Sequence, residues 1–163
     1  MLKVCGAISI LAAGGLLGGL PIWSMLERIR VLELFLDGLI KMRAELNTYS
    51  MSIPELMMTM KGHKIFSSVC LLLAEEPMSF SGQWKSSVDQ VAESLTEQEY
   101  RSVSGLGDIL GRYSLEEQLA SMDSVIVLLR EGKMHTEHKL RSLSRLYLGT
   151  SLSLSGMLVV LLL

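Results

Sequence analysis

The sequence predicts an all-α protein, a helical bundle flanked by N- and C-terminal transmembrane helices. Three observations predict it. From Val4 to Leu26 no side chain is charged, and none is from Leu146 to Leu163. A helix crossing the hydrocarbon core needs about 20 apolar residues, so both runs are long enough, the second only just. Between them apolar residues recur at three- and four-residue spacing, and no stretch alternates as a strand would. All 17 acidic residues lie between Glu27 and Glu137, and of the 15 basic residues only Lys3 precedes residue 24. The chain therefore divides into an anchor at 1–23, a charged helical domain at 24–145, and a second anchor at 146–163.

The first anchor resembles a signal peptide in having Lys3 and the small residues Ala12 to Gly15. Its apolar run continues through Leu16, Leu17, Leu20 and Ile22, which suits an uncleaved span better. Ser24-Met25-Leu26-Glu27 has the form of a capping box just after Pro21. From there Ile22, Met25, Ile29, Leu32, Leu36, Leu39 and Leu46 make one helical seam, interrupted at Arg43. The anchor can thus run, with a bend at Pro21, straight into the first helix of the domain. Ser52-Ile53-Pro54-Glu55 opens a short helix that Gly62 would end. HKIFSSVCLLLAEE, residues 63–76, is apolar on most sides and reads as buried helix. Phe80, Trp84, Val88, Val91 and Leu95 mark another amphipathic helix. Thr96-Glu97-Gln98-Glu99 caps the next, which runs to about Gly111. Ser114-Leu115-Glu116-Glu117 caps the last, where Leu119, Met122, Ile126, Leu129, Lys133, Thr136, Leu140 and Leu143 keep the spacing. With no proline after Pro77, one helix can run from Leu115 to the C-terminus, on the order of 70 Å. The predicted core is Ile29, Leu32, Leu36, Leu39, Val91, Leu106, Leu119, Met122, Ile126 and Leu129.

Charge limits what this domain can do. Its slight acidity gives no basic stripe for nucleic acid. Cys5 and Cys70 are too few, and too far apart in pattern, for a disulfide-stapled fold. Arg28 and Arg30 follow the first span, while Lys139, Arg141 and Arg145 precede the second. Positive flanks stay cytoplasmic, so the domain is expected to face the cytosol from the cell membrane.

Few residues offer chemistry. Glu131, His135 and His138 share a helix face and make a weak metal candidate, since imidazole and carboxylate suit zinc or iron. They match neither H-E-x-x-H nor the paired di-iron pattern, and a solvated face explains them as well. A membrane-tethered, metal-dependent helical enzyme is the alternative function they would support. No G-x-S-x-G or phosphate-binding loop occurs. Gly105, Gly107 and Gly111 lie in a helical pattern, so close packing or a C-cap is expected. Gly14, Gly15, Gly18 and Gly19 form overlapping GxxxG pairs, a close-packing face for the second anchor or for another membrane subunit.

Several short motifs coincide with one family. Met1-Leu2-Lys3 with Gly6-Ala7, the arginine-containing helix after the first span, and Ala44-Glu45-Leu46 leading to Ile53-Pro54-Glu55 resemble the stage III sporulation protein AB family. So do Leu106-Gly107-Asp108-Ile109-Leu110-Gly111 followed by Gln118, and the leucine-rich end. Tyr49 and Tyr113-Ser114 depart from its turns. The family is similar to the cytosolic domain of type II secretion and type IV pilus platform proteins. The resemblance implies a non-catalytic platform subunit, without cofactor, in the mother-cell membrane around the forespore. It also implies a cytosolic ATPase partner, stage III sporulation protein AA. The domain end far from the membrane would meet it, through Arg43, Glu45, Asn47, Asp108, Arg112, Glu116, Glu117 and Gln118. Acidic residues in a first helical turn also simply complement the helix dipole.

Overall fold

A computed structural model describes the backbone of residues 2–49, 51–66 and 80–162, and side chains within 22–49, 51–66 and 80–144. Five α-helices lie among the described residues: α1 Leu2–Tyr49, α2 Ile53–Thr59, α3 Phe80–Asp89, α4 Glu97–Ile109 and α5 Leu115–Leu162. A 3₁₀ turn, Ala92–Ser94, joins α3 to α4. No strand occurs among the described residues.

Three of the four capping boxes start helices. The Glu55 carboxylate accepts from the Ser52 N–H at 3.1 Å and its hydroxyl at 2.9 Å, opening α2. Thr96 caps α4, its Oγ1 accepting from the Glu99 N–H while Glu99 accepts from the Thr96 N–H. Ser114 and Glu117 exchange the same pair at the start of α5. Ser24 caps nothing, which corrects its capping-box reading, while the expected run of the first segment straight into the first helix of the domain is present as α1. Ser24 lies inside α1, whose backbone is helical from Leu2, so no free N–H groups remain for it to cap. The expected single helix from Leu115 onward is present as α5.

The chain divides into two compact units, Met1–Ile29 with Met134–Leu163, and Arg30–Lys133. In the second, α1 contributes Leu32, Phe35, Leu39 and Met42 to the core, each fully buried, and α5 contributes Met122 and Leu129. Seven of the predicted core residues are buried; Ile29, Val91 and Leu119 are partly so. At the centre lies an aromatic slab. Phe66 stacks on Trp84 with centroids 5.0 Å apart, Phe35 meets Phe66 edge-on at 6.1 Å, and His63 leans on it at 5.1 Å. The Trp84 indole N–H donates to the Val103 carbonyl at 2.7 Å.

Two glycines admit this slab. A Cβ on Gly38 would strike the Phe66 ring, and one on Gly107 would fall 2.7 Å from Trp84 Cδ1. Close packing is therefore what Gly107 provides. Arg43, the break in the α1 seam, faces α5, where Asp123 accepts from its guanidinium through both carboxylate oxygens. Lys133 reaches Glu33 at 2.7 Å.

Among the described residues no helix is long and apolar enough to cross a membrane. The GxxxG glycines 14, 15, 18 and 19, Cys5, Cys70, residues 67–79, and nearly all of both predicted anchors lie outside the described side chains.

Candidate functional site

The ends of α1, α3, α4 and α5 and the start of α2 enclose a cleft of about 520 Å³ in the Arg30–Lys133 unit. Its apolar wall is Leu46 from α1, Ile53 and Pro54 from α2, Phe80 from α3, Leu110 after α4 and Leu115 from α5. Arg112, Gln118, Ser52 and Ser81 supply its polar lining.

Local chemistry explains the shape. After α4 the chain reverses through Gly111, whose φ of 79° lies in the left-handed region that suits glycine. A Cβ there would also fall 2.9 Å from Ile53 Cγ1, so the turn and the α2 wall close on each other. Gln118 pins the reversal. Its Oε1 accepts from the Gly111 N–H at 3.2 Å and its Nε2 donates to the Tyr113 carbonyl at 2.7 Å. Ser81 Oγ donates to Asp108 at 2.5 Å, joining α3 to α4 beside the cleft. Two hydrogen bonds from Ser52, the hydroxyl's first and then the backbone's, hold the Glu55 carboxyl below the usual range.

The predicted contact residues separate here. Arg112 and Gln118 line the cleft, and Gly107, next to Asp108, does as well. Gln118 is buried and Glu117 belongs to the α5 cap, so both hold the fold in place. Glu116 and Asn47 are exposed, and Glu45 is half-buried. Arg43 belongs to the α1–α5 pairing, where the Asp123 hydrogen bond and then its charge hold the guanidinium in its protonated form. The sequence did not point to Met51, Ile53, Pro54, Phe80 or Ser81 as site residues. Their local signals, the Ser52 box with Ile53-Pro54-Glu55 and the amphipathic pattern from Phe80, read as helix starts and not as one wall. Glu131, His135 and His138 are each exposed on α5, and among the described residues no group of three or more His, Cys, Asp or Glu side chains could hold a metal ion.

The turn through Gly111 into Gln118 and the glutamate–proline start of α2 are thus two faces of one cleft. The sequence pattern of stage III sporulation protein AB matches residues 3–163. The chain belongs to that family. No curated protein and no solved structure matches it. Membership of the stage III sporulation protein AB family makes this a sporulation protein, and the match runs through both uncharged ends as well as the charged middle.

Proposed function

We propose that this chain is a non-catalytic membrane platform subunit of a sporulation-specific, secretion-like complex, and that the cleft docks a cytosolic ATPase, stage III sporulation protein AA. The uncharged runs hold it in the mother-cell membrane around the forespore, with the domain toward the cytosol. Their membership of one compact unit, Met1–Ile29 with Met134–Leu163, supports two anchors placed side by side. The GxxxG face then packs within the chain or against other membrane subunits.

The observation that carries the docking role is the cleft itself. It joins an apolar floor to exposed charge at Arg112, and Glu116 is exposed next to the lining residue Leu115, a combination suited to a protein contact. Its remaining polar side chains, Gln118, Ser52 and Ser81, are engaged in holding helix ends together. That leaves them to shape a surface and not to move protons.

The test uses charge reversal at two exposed positions whose side chains make no hydrogen bond or ion pair among the described residues. Arg112→Glu with Glu116→Lys in the full-length protein should weaken ATPase binding about ten-fold or more. The thermal midpoint should stay within about 2 °C, because exposed charges contribute little to folding. Glu117 and Gln118 are left intact because changing them would loosen α5. Undiminished binding by the double variant sinks the docking surface.

A further inference from the structure

Of the large apolar side chains left in the open in the Met1–Ile29 and Met134–Leu163 unit, Met134 at 63% lies on α5, and Trp23 at 74% and Leu26 at 51% lie three residues apart on α1. The latter two end the first uncharged run, and Glu27 and Arg28 follow directly. In the same unit Lys139 and Arg141 are exposed on α5, just before the second uncharged run. Among the described residues neither makes an ion pair, whereas the nearby carboxylates Glu27 and Glu137 make interactions of their own. An indole has an apolar body and a polar N–H, which suits the layer where headgroups meet acyl chains. Lysine and arginine at that depth meet phosphate.

We infer that Trp23, Leu26, Lys139 and Arg141 form a lipid-contact collar. Trp23 and Leu26 enter the headgroup–acyl boundary, and Lys139 and Arg141 gather anionic headgroups. The inference rests on the membrane-anchored reading above and names its lipid partner. Continuity with the uncharged runs and the unpaired positive charge both favour a bilayer over a protein as occupant.

The two tryptophans make this measurable. Trp84 is fully buried, so bromine on lipid should reach Trp23 alone. The full-length protein is reconstituted into phosphatidylcholine vesicles carrying bromine high on the acyl chains, then into vesicles in which brominated phosphatidylglycerol replaces part of that lipid. Quenching of the wild type, less that of Trp23→Phe, reports on Trp23. The expected result is strong shallow quenching, with phosphatidylglycerol preferred about three-fold and the preference lost in Lys139→Glu/Arg141→Glu. Circular dichroism and unchanged Trp84 emission confirm that the variants, all at exposed positions, remain folded. Protein that enters vesicles but shows an unquenched Trp23, or equal quenching by the two lipids, overturns the collar while leaving the anchors standing. Protein that fails to enter vesicles at all overturns the membrane reading and the collar with it.

Discussion

Two glycines on α4 should respond to alanine in opposite directions. A Cβ on Gly105 meets nothing within 4 Å, so Gly105→Ala should gain the helix propensity of about 1 kcal/mol. On Gly107 the same Cβ would lie 2.7, 3.0 and 3.1 Å from Trp84 Cδ1, Cγ and Cβ. Trp84 has nowhere to go, since it stacks on Phe66 at 5.0 Å and donates to Val103 at 2.7 Å. Overpacking a fixed core costs typically about 1–3 kcal/mol. Set against the same propensity gain, Gly107→Ala should lose up to about 2 kcal/mol. For a chain of this size that difference of about 1–3 kcal/mol separates the two midpoints by roughly 2–12 °C, at about 2–4 °C per kcal/mol. Thermal melts followed by far-ultraviolet circular dichroism, both variants in one detergent, measure it directly. A Gly107→Ala midpoint equal to or above that of Gly105→Ala would refute the packing of Trp84 against this helix.

Gln83 is 2% exposed, and among the described residues neither its amide nitrogen nor its oxygen has a hydrogen-bond partner. Gln83→Met keeps the length and removes two unsatisfied groups, so urea unfolding should show a gain of about 1–3 kcal/mol; a loss would mean the amide is bonded. Burial pushes His63 below its ordinary value of 6.5, against the Asp37 charge and with help from Lys41. The unfolded chain therefore takes up the proton first, and the stability His63 contributes, complete above its unfolded value, is lost as pH falls toward its native one. His63→Phe should flatten the wild type's decline in melting midpoint between pH 7 and 5, and an unaltered slope would remove His63 from that role.

Local signals were legible where the chain closes on its near neighbours. The boxes at Ser52, Thr96 and Ser114 bond residues three apart, and Gly111 reverses the chain beside its own helix end. The box at Ser24 has the same letters and no function as a cap, because what decides it is whether the preceding residues are already helical. Gly38 in a regular helical pattern carries no mark of the Phe66 ring that needs its missing Cβ. Arg43 read as a flaw in a seam and as a docking cation, while its partner Asp123 lies 80 residues away. The cleft was half visible for the same reason. Arg112 and Gln118 sit on a turn that patterning finds, whereas the Ile53, Pro54 and Phe80 wall exists only once distant helix ends meet.

The pairs Arg43–Asp123 and Glu33–Lys133 show that α1 and α5 run antiparallel, ten residues forward on one matching ten back on the other. Such a pair of fasteners favours one register over its neighbours. Displacing α5 by one turn, about 5.4 Å, would set Val127 or Leu119 against Arg43, and Glu137 or Leu129 against Glu33. Neither direction offers a replacement bond, and one brings two carboxylates together. A pull or push arriving along either helix within the Arg30–Lys133 unit is therefore carried by both as one strut, and a motion a partner imposes there tilts or rotates the pair in preference to sliding it.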